Sequence, residues 1–189
     1  MDSALIVSST EKSISYLTDI LEQAAIMRIA TVGTAGEARR ILIHNDYDLC
    51  VINGPLPDEF GEALARGIAA KGIAEVILIV RSELFDEISH KVEDYGVIAV
   101  SKPVSRAMLW NALKVSRAVH KRLQTARNEN TRLLQKMEDI RVIDRAKCVL
   151  ISSLAMTEPE AHKYIEKQAM DMRITKKAVA EAVLKTYEN

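Results

Sequence analysis

Leu49-Cys50-Val51-Ile52-Asn53-Gly54-Pro55 is a short apolar run that ends at an Asn-Gly pair followed by proline. Four uninterrupted apolar residues bounded by such turn signals read as a strand buried on both faces. Three more apolar runs, Ala4–Val7, Val76–Val80 and Val97–Val100, the last followed by Lys102-Pro103, and the stretch Arg28–Val32 also read as strands. Between them lie stretches with helical periodicity, at roughly 11–25, 34–44, 58–71 and 83–94. In the first of these, Ile14, Leu17, Leu21 and Ala24 share one face. Strands alternating with helices of about ten residues predict a parallel sheet covered by helices on both sides. In such sheets the ligand crevice lies at the carboxyl ends of the strands. Here those ends carry Ser8-Ser9, Asn53, Val80-Arg81 and Lys102.

The pattern changes near Ser105. No proline occurs between Pro103 and Pro159, and no glycine follows Gly96. Val119, Leu123, Ala126, Asn130, Leu133, Met137 and Ile140 recur at alternating spacings of four and three, with Leu123, Asn130 and Met137 at the a positions of a heptad. This predicts a long helix with a dimer seam, in which Asn130 sacrifices stability for a paired register. The last fifty residues read as further helices. Thr157-Glu158-Pro159-Glu160 has the form of a capping box, and Thr175 can cap the helix that contains Val179 and Val183. The expectation is an α/β domain over residues 1–118, a coiled-coil helix over 119–140, and an all-α three-helix bundle over 141–189.

The chain of 189 residues is 48% apolar and 28% charged, ample for a core, but only 4% aromatic. No apolar run is long enough to span a membrane, and the start lacks the pattern of a signal peptide, so a cytoplasmic protein is expected. Cys50 and Cys148 each lie in an apolar run and are expected to be buried, reduced thiols. No His/Cys cluster has metal-ligand spacing, and neither a cofactor nor an enzymatic activity is expected. A net charge of zero hides a division. Residues 1–103 hold 9 Lys/Arg against 16 Asp/Glu, residues 104–140 hold 8 against 3, and residues 141–189 hold 9 against 7. The basic back half is where a polyanion would bind.

The strand pattern over residues 3–118, with Asp48 opening the third strand, the proline-containing loop after it and Lys102-Pro103, resembles the receiver domain of two-component response regulators, a (βα)5 flavodoxin-like fold. In that family an acidic pair after the first strand holds Mg²⁺, an Asp ending the third strand accepts the phosphoryl group, and a hydroxyl and a Lys after the fourth and fifth strands read it. The matching positions here are Ser8 and Ser9, Asn53, Val80 and Lys102, with Val100 where a switch aromatic is usual. An amide forms no acyl phosphate, and two serines do not replace carboxylates around Mg²⁺. Asp46 and Asp48 fall at the wrong end of the strand. The resemblance is therefore to a receiver that has lost its phosphoryl chemistry, a pseudo-receiver with a degenerate acceptor pocket, for which the candidate inputs are a regulatory protein on its surface or dimerisation itself. Lys102 is expected to bond Asn53 or nearby carbonyls.

Residues Arg141 to Tyr187 resemble the ANTAR domain of transcription antitermination regulators. The likeness is carried by Ile143, Ala146-Lys147, Leu150, Met156-Thr157-Glu158, Ala161, Gln168-Ala169-Met170, Arg173 and Val179-Ala180. Cys148 and Ile151 depart from the pattern and are expected on the buried face. The resemblance implies binding of paired stem-loops in nascent leader RNA by a homodimer. Lys147, Lys163, Lys167, Arg173, Lys176 and Lys177 are the candidate phosphate contacts, led by Lys147 and Arg173, with the helix start at Thr175 adding its dipole to Lys176 and Lys177. Tyr164, Tyr187 and His162 are the rings available for stacking. On plainer readings Ala146, Ala161, Ala169 and Ala180 are packing residues, and Met156, Met170 and Met172 fill the core. The alternatives are a DNA-binding regulator, disfavoured by the lack of a helix-turn-helix glycine turn, and a dimeric protein-interaction scaffold.

Overall fold

The computed structural model describes residues 1–72 and 74–187. The chain divides into two compact units, Met1–Gln124 and Thr125–Asn189. The order of elements in the first is β1 (Ser3–Val7), α1 (Glu11–Gln23), β2 (Arg28–Val32), α2 (Ala35–His44), β3 (Leu49–Asn53), α3 (Glu62–Lys71), β4 (Glu75–Val80), α4 (Phe85–Val92) and β5 (Ile98–Ser101), followed by α5 (Arg106–Leu154). Short 3-10 turns at Ser82–Leu84 and Glu93–Tyr95 flank α4. The strands form one parallel sheet in the order β2-β1-β3-β4-β5, so β1, β3 and β4 are flanked on both sides.

Strand alternation divides the side chains between two cores. Ala4 and Ile6, Leu49 and Val51, and Ile77 and Ile79 meet Leu17, Ile20 and Leu21 of α1 and Leu109 and Leu113 of α5. Leu5 and Val7, Cys50 and Ile52, and Leu78 and Val80 meet Ala38 of α2, Leu64 and Ile68 of α3 and Ile88 of α4. Both faces are dry, which explains why these strands are continuous apolar runs rather than alternating ones. Truncating a leucine such as Leu78, which is wholly buried, costs about 2–5 kcal/mol in sites of this kind. Cys50 is buried among these residues, and burial pushes its thiol up to about 12.

The helix expected from residue 58 starts four residues later, because the loop before it is put to other uses. The Asp58 carboxylate accepts from the backbone amides of Ala35 and Gly36 at 3.0 and 2.8 Å, capping α2 across the crevice rim. Glu59 accepts from the Leu64 amide at 3.0 Å. Gly61 then turns the chain into α3 with φ +92°, and a Cβ there would meet Ile52 Cγ2 at 2.9 Å.

The second unit holds the carboxyl-terminal part of α5 with α6 (Glu158–Met172) and α7 (Lys176–Tyr187). Its core is Ala146 and Leu150 of α5, Ala161, Ile165 and Ala169 of α6, and Val179, Ala180 and Val183 of α7. The four alanines are packing residues, as read, since three of them are fully buried and Ala169 nearly so. Glu160 closes the start of α6, accepting at 2.8 Å from both the amide and the hydroxyl of Thr157. Thr175 Oγ1 accepts from Ala178 N at 3.2 Å and so caps α7.

Several side chains expected inside this bundle lie outside it. Cys148 and Ile151 are exposed, because position 148 is carried about 200° round the helix from buried Ala146. Met170 and Met172 are 78% and 61% exposed, off the stripe set by Ala161, Ile165 and Ala169. Met156 is half-buried and packs on the core. Both sequence-expected boundaries, at 118/119 and 140/141, fall within the single helix α5. Every residue from Lys121 to Glu138 is exposed, and so are the seam residues Val119, Leu123, Ala126, Asn130, Leu133, Met137 and Ile140.

Arg173 closes α6 in the left-handed region, φ 54°, with its amide directed to Ala169 O and Met170 O. Glycine is the usual residue at such a cap, since a side chain there costs on the order of 1 kcal/mol. The two special positions give opposite expectations. Gly61→Ala lowers unfolding free energy by about 2 kcal/mol through left-handed strain and the Ile52 clash. Arg173→Gly raises it by about 1 kcal/mol. Urea titrations of both variants beside the parent check the two signs.

Candidate functional site

Two regions carry polar side chains that packing alone does not require. The first is the crevice at the carboxyl ends of the strands, where the structure brings Ser8, Ser9, Asn53, Val80 and Lys102 together. Ser8 follows β1 and is fully buried. Asn53 ends β3 and donates from Nδ2 to Ser8 Oγ at 3.0 Å. Lys102 follows β5, and its Nζ donates to the Gly54 carbonyl at 2.6 Å, one of the nearby carbonyls expected for it. Gly54 sits tight against the chain: a Cβ there would be 2.5 Å from Phe60 O. Val80 is buried at the end of β4 and contributes no hydroxyl. Ser9 is exposed beside Ser8.

The electrostatics of this crevice are one-sided. Burial pushes the Lys102 ammonium below its ordinary value, and the charge of Arg81 pushes it further in the same direction. Among the described residues neither Lys102 nor Arg81 has an ion-pair partner. Mg²⁺, the ion that likeness to receivers implies, wants carboxylate oxygens. The strand ends offer hydroxyls, an amide and a lysine instead, so these residues do not fit it. Among the described residues no group of three His, Cys, Asp or Glu side chains is placed to hold a metal ion.

Asp48 stands at the opposite end of β3. It accepts from the amides of Asp2 and Ser3 at 2.5 and 3.0 Å and from the Ser3 hydroxyl at 3.2 Å. Burial alone would raise its carboxyl, but these bonds win and hold it below the ordinary value. His120 of α5 lies 3.7 Å from Asp48 and 3.9 Å from Glu75, tying α5 to this lower rim of the sheet. No local sequence signal marks that tie, because it joins residues far apart in the chain. Arg81 was placed at the strand ends by the sequence but given no role there, since an exposed arginine after a strand is ordinary.

The second region is the surface of the helical unit, where the six candidate cations divide into two sets. Lys147 pairs with Asp144 at 2.8 Å and Glu158 at 3.0 Å, joining α5 to the first turn of α6. Its hydrogen bond to Asp144, then that to Glu158, raises its pKa. Lys177 pairs with Asp139 of α5 at 2.9 Å, and Lys176 with Glu166 of α6. The positive site expected at the start of α7 is thus partly neutralised by these two carboxylates. Lys163, Lys167 and Arg173 are exposed and without an ion pair among the described residues. Lys163 and Lys167, one helical turn apart, share a face of α6. Tyr164, Tyr187 and His162 are exposed at the surface of the same unit. Among the described residues no helix is long and apolar enough to cross a membrane.

Comparison with known proteins places both units. Residues 123–184 match the ANTAR domain family. The chain is 29% identical over 171 residues to the transcriptional regulatory protein PdtaR of Mycobacterium tuberculosis, in strains CDC 1551 and H37Rv, covering 90% of this chain and 83% of the relative. Among solved structures, the signal receiver domain of an HD domain-containing protein from Pseudomonas fluorescens Pf-5 aligns with TM-score 0.57 and 21% identity, covering 65% of this chain and 91% of that one. The response regulatory domain of mrkE from Klebsiella pneumoniae aligns with TM-score 0.56 and 16% identity over 64% of this chain and 98% of that one. At these identities the solved structures establish the fold, which is that of a receiver. The chain thus has a unit of receiver fold followed by a region that matches the ANTAR domain family, and over most of its length it is similar to a transcriptional regulatory protein.

Proposed function

We propose that this protein is an RNA-binding transcription antitermination regulator, which acts as a dimer on stem-loops in nascent leader mRNA. Its receiver domain accepts no phosphate and is controlled by a partner protein. The observation that carries the reading is the ANTAR match over residues 123–184, coupled with three exposed cations of that region, Lys163, Lys167 and Arg173, that no carboxylate neutralises among the described residues. Arg173 adds a thermodynamic argument. An arginine kept at a cap that glycine would serve better points to a use for its side chain. Lys147, Lys176 and Lys177 are placed to hold the three helices together and to shape the surface on which the free cations stand.

Support for a dimer comes from α5. A helix exposed on all sides from Lys121 to Glu138 is marginal in water on its own. The Leu123, Leu133, Met137 and Ile140 side chains, each 45–59% exposed, form the stripe that a second helix would cover. The pseudo-receiver reading is supported by the crevice, where serines and an amide hold the positions that metal binding and phosphoryl transfer need as carboxylates.

Two outcomes are expected. In a salt titration, the protein binds RNA with paired stem-loops more tightly than matched duplex DNA. The combined substitution Lys163→Ala and Lys167→Ala lowers the slope of log K against log salt by about 1.5, the loss of two phosphate contacts. Arg173→Gly weakens RNA binding even though it stabilises the fold. Equal affinity for both nucleic acids, or an unchanged slope, contradicts the RNA reading. In sedimentation equilibrium the parent protein is a dimer, and Asn130→Leu tightens association while admitting other registers or stoichiometries. A parent that stays monomeric at high concentration contradicts the seam.

A further inference from the structure

The crevice of the receiver unit opens on a cleft of about 300 Å³ between α1 and the loop joining β5 to α5, at the lower end of the size range of small-molecule sites. Its walls are of two kinds. Leu17, Ile79 and Val104 supply apolar surface, while Ser13, Asn53 and Lys102 supply polar groups. On the reading that this receiver unit accepts no phosphoryl group, the cleft is without that use, and the contacts that hold the fold leave its polar groups partly free. Lys102 gives one of its three donors to the Gly54 carbonyl. Asn53 donates to Ser8 through Nδ2, which leaves its oxygen free as an acceptor. The Ser13 hydroxyl accepts from Thr10 at 2.7 Å and keeps its own proton to donate. Ser13 also lies in the first turn of α1, whose dipole end is positive.

Charge decides what would enter. With Ser8, Ser9 and Asn53 where carboxylates would stand, no carboxylate among the described residues forms an ion pair with the Lys102 ammonium. Arg81 adds a second cation close enough to be felt at Lys102. A crevice that in a phosphorylated receiver must attract a cation here attracts an anion. A desolvated ammonium with free donors is satisfied best by a carboxylate or phosphate oxygen, and the apolar walls favour a ligand with a hydrocarbon body over a bare inorganic ion.

We infer that the cleft bounded by Ser13, Leu17, Asn53, Ile79 and Lys102 binds a small organic carboxylate, without metal, as an input to the receiver unit. The carboxylate faces Lys102 and Ser13, and the hydrocarbon part lies on Leu17, Ile79 and Val104. The inference rests on the reading above that the crevice accepts no phosphoryl group, and it adds a small-molecule input to that reading.

The test uses the full-length protein, with benzoate and hexanoate as probes and amide NMR shifts as the readout. Both carboxylates, at millimolar concentration and low salt, should shift the Ser13, Leu17, Lys102 and Val104 amides along saturable curves, and neutral benzamide should not. Lys102→Gln, which keeps a donor for Gly54, should weaken benzoate about tenfold, the loss of one charge-assisted hydrogen bond. Val104→Trp fills the cleft without changing its charge and should abolish binding. Arg81→Gln, at an exposed position that folding does not need, should weaken benzoate a few-fold and reduce its salt dependence. The inference is overturned if neither carboxylate binds the parent protein, if benzamide binds as well as benzoate, or if inorganic phosphate binds more tightly than either carboxylate. A separate arm tests the underlying reading. Intact mass after incubation with Mg²⁺ and acetyl phosphate should be unchanged, and the gain of one phosphoryl group would defeat the pseudo-receiver reading whatever benzoate does.

Discussion

A parallel sheet flanked by helices buries both of its faces, and so its polar chemistry is confined to the strand ends. Here that confinement sets two hydrogen-bonded pairs at the strand ends, Asn53 with Ser8 and Lys102 with the Gly54 carbonyl. Asn53 and Lys102 each meet one neutral partner, a hydroxyl for Asn53 and a carbonyl for Lys102. The geometry of a receiver survives because the two cores beneath it are made of strand and helix side chains that never took part in phosphoryl transfer. Serines and an amide at the strand ends therefore cost the fold nothing that these cores supply.

The helical unit is built on the opposite principle. Its core is small: among the described residues eight side chains are fully or nearly buried, four of them alanines. Much of its apolar surface is left outside, at Leu133, Leu134, Met137, Ile140, Met170 and Met172. Salt bridges between helices, at Lys147, Lys176 and Lys177, fix the crossing geometry more than they add stability, since exposed pairs contribute little. In the proposed dimer, association along α5 would cover part of this surface, and dimerisation and output would then be parts of one energetic unit.

Much of this was legible in the sequence because it rests on local pattern. The apolar runs at Ala4–Val7, Leu49–Ile52 and Val76–Val80 announced buried strands, and the four-three spacing from Val119 to Ile140, read as a dimer seam, falls on one long helix with its seam residues exposed. Ser8, Ser9, Asn53, Val80 and Lys102 were found as strand-end residues, and the structure gathers them into one crevice. What escaped depends on pairings between distant segments. Asp58 leaves the helix expected from residue 58 in order to cap α2, and no residue near it signals that use. Lys147 looked like a free cation until Asp144 and Glu158 were seen on either side of it. Cys148, Ile151, Met170 and Met172 read as interior because apolar residues usually are, but a bundle of three short helices has too little interior to hold them. The apolar wall of the cleft beside Lys102, formed by Leu17 and Ile79, needed the packing of α1 on the sheet to become visible.

The account stands or falls on what the ANTAR unit does to a transcript. The most direct measurement is single-round transcription in vitro on a template whose leader encodes paired stem-loops overlapping a terminator, with the fraction of read-through followed as protein is added. The account predicts that read-through rises to a plateau with protein concentration, and that it fails to rise when Lys163 and Lys167 are alanine. Read-through that stays at its starting level while the protein binds the template DNA would contradict it.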